Sequence, residues 1–174
     1  RLRRYLLVAA VAVFAVLLTF GYGKILLTRP ASGTVRIAGV TETHLRDYWT
    51  ITDNGTPRES KAEYGPEIEA INDRLFASSR RAADYGAKVI FWSEGNAVMY
   101  EDDLDAFLKR SQAFAQEHQV YFAPTPLVLR YGQTKNDNLV YLFGPDGKTL
   151  FRYEKTISWY PSESDGIVPA AETP

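Results

Sequence analysis

Nineteen consecutive residues from Tyr5 to Gly23 (YLLVAAVAVFAVLLTFGYG) carry no charge, and ten of them are Leu, Val or Phe. As a helix rising about 1.5 Å per residue this run is roughly 28 Å long, close to the roughly 30 Å hydrocarbon core of a bilayer. A cleaved signal peptide is the rival reading, but its apolar region is usually about 7–15 residues and ends at a small-residue site. Here the run continues into Gly-Tyr-Gly-Lys-Ile-Leu-Leu. A helix buried in a soluble core is the third possibility. The length and flanks favour a membrane span. Residues 1–30 are expected to form that span and a linker, Pro30-Ala31-Ser32-Gly33 marking the junction with a domain over 31–174.

Beyond the linker the pattern changes to short β-like runs separated by amphipathic stretches. Thr34–Val40 is rich in β-branched residues and predicts a strand. Pro66, followed by Glu67 and Glu69, predicts the first turn of a helix. Its apolar positions are Ile68, Ile71, Leu75, Ala82 and Tyr85, and Gly86 ends it. Ala87–Trp92 predicts a strand. Asp102 or Asp103 caps a second helix whose apolar face is Leu104, Phe107, Leu108, Ser111, Phe114 and Ala115. Val120–Ala123 begins another strand, which Leu127–Leu129 can continue past Pro124 and Pro126. Asn138–Phe143 and Thr149–Glu154 flank Gly144-Pro145-Asp146-Gly147, a hairpin turn signal. Strands alternating with helices predict an α/β sheet whose strands are buried on both faces.

Composition narrows the function classes. The 174 residues have a net charge of −1, yet residues 1–30 carry Arg1, Arg3, Arg4, Lys24 and Arg29 with no acid. The remainder is acidic by six charges, so a nucleic-acid partner is disfavoured. Arg1, Arg3 and Arg4 precede the apolar run and place that end in the cytoplasm by the positive-inside rule. The following domain is then expected to face the periplasm or the exterior. With no cysteine and two histidines far apart, His44 and His118, neither a thiolate nor a histidine metal centre is expected, nor a Ser-His-Asp triad. His118 reads as a polar residue capping the second helix.

Ligands and reacting groups in α/β sheets gather beyond strand ends. Glu94 stands two residues past the apolar run ending in Trp92. Beside that indole, desolvation is expected to disfavour the charged carboxylate, as suits a general base. A solvated loop acid is the plain alternative. Lys155 directly follows the strand Leu150–Tyr153, where it can hold a developing oxyanion or simply be a surface cation. Tyr121, Phe122, Trp159 and Tyr160 can line a lipid groove or belong to the core.

Together, Lys88–Glu94 (KVIFWSE), Asn138–Lys155 (NLVYLFGPDGKTLFRYEK) and Glu163 resemble the nitrilase, or carbon–nitrogen hydrolase, superfamily. With a hydrophobic helix ahead and Trp92 two residues before Glu94, the pattern is most similar to bacterial apolipoprotein N-acyltransferase. Lys155 and Glu163 keep the eight-residue spacing of a motif in that family. Ser93 stands where the family usually has Pro, Gly95-Asn96 replaces Thr-Ala, and the residues between Lys155 and Glu163 differ.

The resemblance implies an α-β-β-α sandwich, here incomplete, preceded by one transmembrane helix. Glu94 would be the general base, Lys155 the oxyanion stabiliser and Glu163 a supporting residue, with no cofactor and no metal. The nucleophilic Cys would lie after residue 174. The implied reaction moves a phospholipid acyl chain, through a thioester, to the N-terminal amine of a lipoprotein at the bacterial inner membrane. A membrane-anchored amidase or nitrilase, and a non-catalytic relative lacking its nucleophile, remain as alternatives.

Overall fold

The structure is a computed structural model and describes residues 2–28, 33–42, 60–133 and 136–155. The chain forms two compact units, Arg1–Thr34 and Val35–Pro174. In the first, helix α1 spans Leu2–Thr28, with exposed apolar side chains along its length. Its mean hydropathy reaches 2.3, and it is long and apolar enough to cross a membrane. Its two threonines turn their hydroxyls inward, Thr19 to the Ala15 carbonyl (2.8 Å) and Thr28 to that of Lys24 (2.9 Å). Such bonds satisfy polar groups without water.

The second unit runs β1 (Ile37–Val40), α2 (Ser60–Asp84), β2 (Val89–Trp92), β3 (Ala97–Tyr100), a 3₁₀ turn (Glu101–Asp103) and α3 (Leu104–His118). It continues with β4 (Tyr121–Ala123), β5 (Pro126–Leu129), β6 (Asp137–Phe143) and β7 (Thr149–Glu154). The sheet order is β1-β2-β4-β6-β5-β3, with β7 on the other edge of β6. β2 is parallel to β1 and β4, and β3 is parallel to β5. β6 runs antiparallel to β4, β5 and β7.

The registers show that β2 and β3 are two halves of one interrupted strand, paired along β4 and β5, which form another. Phe91 pairs with Ala123, and pairing resumes at Ala97 with Pro126. Five residues (92–96) separate the paired stretches on one side and two (124, 125) on the other, so three residues are looped out of the sheet. A loop-out of this kind breaks the ladder and re-aims side chains. Glu94 lies within it.

The core lies between this sheet and helices α2 and α3. Trp92 (2% exposed), Phe122 and Phe143 project from the sheet toward Leu75 and Phe76 of α2 and Phe107 and Phe114 of α3. Ring centroids of Phe76 and Trp92 are 5.0 Å apart and those of Trp92 and Phe122 5.2 Å, both edge-to-face, the arrangement the ring quadrupoles favour. The Trp92 indole N–H donates to Ser79 (2.8 Å), whose hydroxyl donates to the Leu75 carbonyl (2.8 Å). Every polar atom carried into this layer by Trp92 thus has a partner.

Several expectations need correction. α2 starts at Ser60, six residues before Pro66, which lies inside the helix. Tyr85 falls past the helix end and is 75% exposed, while Gly86 takes φ +84°, the left-handed value that closes the helix. The sequence does not predict β3, because four apolar residues between a turn and an acidic cluster carry no periodicity. The Asp103 side chain does not cap α3. It pairs instead with Lys61 of α2, as does Asp102. Burial on both faces holds for β3 and β5 but not for β1, β2, β4 and β7. Ile37, Phe91, Tyr121, Phe151 and Tyr153 are exposed on the face opposite the helices. His118 packs its ring 4.5 Å from Phe114, and the residue closing α3 is Gln119 at φ +52°.

Candidate active site

Glu94 emerges from the three-residue loop-out, which the chain fixes from both sides. The Ser93 amide donates to the Val40 carbonyl (3.1 Å) and the Thr125 hydroxyl donates to the Ser93 carbonyl (2.6 Å). The Asn96 side chain, 2% exposed, accepts from the Glu42 amide (2.7 Å) and donates to its carbonyl (3.0 Å). Gly95 takes φ +63°, where a side chain would be strained, so the turn needs glycine there. Glu94 therefore stands on a rigid turn between β1 and β4/β5.

β6 and β7 bring the other partners. Asn138, one residue into β6, pairs with Leu127 of β5 and is 5% exposed. Its side-chain amide donates to Glu94 Oε1 (2.8 Å). Its carbonyl accepts the Lys155 amide (2.9 Å), seating Lys155 at the end of β7. Lys155 Nζ then donates to the same Glu94 oxygen, also at 2.8 Å. The Lys155 side chain is 20% exposed and that of Glu94 61%.

This geometry sets the electrostatics of Glu94. The Lys155 hydrogen bond holds its carboxyl below the ordinary value, against the opposing effect of partial burial and with help from Asn138. The sequence predicts the opposite direction, from desolvation of a carboxylate beside Trp92. Neighbouring side chains explain the difference: Trp92 turns into the helix-facing core, and Glu94 turns outward to a cation. A carboxylate charged at neutral pH can accept a proton. An ammonium beside it can hold a developing negative oxygen.

A second cluster adjoins Asn138. Arg130 pairs with Asp137 and with Glu101 (3.2 Å), and Glu101 also accepts from the Tyr131 amide (3.3 Å). These contacts tie the start of β6 to the 3₁₀ turn. Composition alone could not single out Asn138 or Arg130. For Asn138 the available signal was its position opening an apolar strand run. Among the described residues no group of three or more His, Cys, Asp or Glu could hold a metal ion. Glu163, His44, Trp159 and Tyr160 lie outside the described residues.

Comparison with solved structures gives amidases from Nesterenkonia sp. An amidase from Nesterenkonia sp. aligns with TM-score 0.58 at 16% identity, over 82% of this chain and 51% of that one. A mutant of the Nesterenkonia AN1 amidase, an enzyme from the nitrilase superfamily, aligns with TM-score 0.55 at 17% identity. The mixed α/β fold is similar to that of these amidases. A variant in complex with butyramide aligns with TM-score 0.58 at 18% identity, over 82% of this chain and 51% of its own. Another, carrying the acetamide moiety of fluoroacetamide on its active-site cysteine, gives 0.58 and 16% over the same shares. The chain thus spans about half the length of the structures it matches. No family model and no curated protein matches the sequence.

Proposed function

We propose that this chain belongs to a membrane-bound N-acyltransferase that moves a phospholipid acyl chain to the N-terminal amine of a lipoprotein. The nucleophile would be a Cys outside these 174 residues, which contain none. The observation that carries the reading is the 2.8 Å contact between Glu94 Oε1 and Lys155 Nζ at the sheet interruption. The apolar helix α1 supports a membrane setting, where both substrates reside.

In this reaction Glu94 takes the thiol proton, and the thiolate attacks the ester carbonyl of the donor. Lys155 stabilises the oxyanion as the tetrahedral adduct forms. Collapse breaks the ester C–O bond, and Glu94 returns its proton to the departing lysophospholipid oxygen. A thioester remains. The acceptor amine then attacks it, Glu94 takes the amine proton, and the amide product leaves as the thiolate is released and reprotonated. Arg1, Arg3 and Arg4 orient α1 so that this domain faces the periplasm or exterior, at the inner membrane of a bacterium.

A second reading is favoured by the solved neighbours, which are amidases: a membrane-anchored carbon–nitrogen hydrolase, in which water replaces the amine. One experiment separates the two. The complete natural protein in detergent is given a phospholipid with labelled acyl chains, then a peptide bearing a diacylglyceryl-modified N-terminal Cys. Hydroxylamine-labile label on the protein that passes to the peptide amine is the expected result. Hydrolysis of short amides without labelling would favour the hydrolase. Neither activity would leave a non-catalytic domain.

A further inference from the structure

Two donors converge on one oxygen of Glu94. The Asn138 amide and the Lys155 ammonium each lie 2.8 Å from Oε1. We propose that Asn138 is a positioning residue, which with Lys155 locks Oε1 so that Oε2 receives the nucleophile's proton. This rests on the acyl-transfer or hydrolase reading of the site.

A glutamate with a 61% exposed side chain has a broad terminal torsion and turns its two oxygens freely. One donor would still let the carboxylate swing about that contact. A second donor from a different strand fixes the plane, because Asn138 reaches Oε1 from β6 and Lys155 from the end of β7. Asn138 is suited to this in three ways. It is 5% exposed, so its rotamer is fixed by packing. Its register opposite Leu127 places it beside the loop-out that carries Glu94. Its own carbonyl holds the Lys155 backbone (2.9 Å), so a shift of Asn138 would move both donors together. Asn138 is therefore the junction through which β6 sets the distance between base and cation. Misplacing a reacting group by about 1 Å can cost on the order of 100-fold in rate.

The test uses the complete natural protein and the activity established for it. Asn138→Leu removes the donor at similar volume. Asn138→Asp keeps the shape, turns a carboxylate toward Glu94 and decides the matter if the leucine variant does not fold. Positioning predicts that both variants lose about 10- to 100-fold in kcat with KM within about twofold, the aspartate at least as impaired as the leucine. A packing role alone predicts the reverse order, with the isosteric aspartate near the wild-type kcat. That result, or kcat within twofold for both variants, would overturn the proposal. Glu94→Gln is measured alongside. If it keeps full activity, the reading of the site itself fails. If it is inactive while both Asn138 variants are normal, the site stands and the positioning role alone is lost.

Discussion

Replacing Arg130 with Met should destabilise the sheet unit more than any neighbouring surface change, and a second substitution should repair the damage. The Asp137 side chain is 9% exposed and its guanidinium partner Arg130 is 37% exposed. Removing the cation leaves a nearly desolvated carboxylate beside β5. Breaking a fully buried pair in this way costs about 3–5 kcal/mol. Because Arg130 is partly solvated, screening reduces the loss to about 2–3 kcal/mol. Glu101 loses the same partner at 3.2 Å but is more exposed and adds little. For a unit of this size about 2–3 kcal/mol lowers the midpoint by roughly 5–12 °C. Converting Asp137 to Asn in the Arg130→Met background removes the stranded charge while keeping the shape. That double variant should recover at least half of the lost stability. Urea and thermal unfolding of the detergent-solubilised protein, followed by near-ultraviolet circular dichroism, measure both steps. A loss below about 0.5 kcal/mol for Arg130→Met would mean the pair is an ordinary surface contact. A double variant no more stable than the single one would refute the buried-charge account.

Two further outcomes follow from the loop-out. Gly95→Ala forces a side chain to φ +63° and should cost about 1–2 kcal/mol, with an activity loss out of proportion to the small change in unfolding midpoint; a variant with unchanged activity would show that the turn does not aim Glu94. The pH dependence of stability carries a definite sign. With its folded-state carboxyl held below the ordinary value, Glu94 contributes stability above the unfolded carboxyl range near pH 4.3, and that contribution is lost as pH falls through the folded value. The wild type should therefore lose slightly more stability than Glu94→Gln between about pH 5 and 3, by less than about 1 kcal/mol given the exposure of Glu94. Equilibrium unfolding across that range measures it, and a difference of opposite sign would overturn the assignment of Lys155 as the dominant influence.

Much of the fold was legible along the chain. The charge-free run gave α1, and the 3.6-residue spacing of Ile68, Ile71 and Leu75, and of Phe107, Ser111 and Phe114, identified the buried faces of α2 and α3. The Gly144–Gly147 turn placed the β6–β7 hairpin, whose first strand starts one residue earlier than expected. These features depend on residues close in sequence, where periodicity and turn chemistry operate.

Other features required the chain to meet itself. β3 has no alternation because all four residues are buried, and its partner β5 lies 29 positions away. Pro66 falls inside α2 because the helix reaches back to Ser60, where Lys61 pairs with Asp102 and Asp103 about forty positions on. Glu94 and Lys155 could be singled out as residue types at strand ends, but their contact spans 61 positions. Its existence depends on the β2/β3 interruption and on the β6 register that seats Asn138. Residues near one another along the chain specify the apolar helix, the helix faces and the carboxylate and cation available for chemistry. That the carboxylate faces a cation rather than an indole depends on the assembled sheet, because a hydrogen bond between distant strands outweighs the local burial that neighbouring residues suggest.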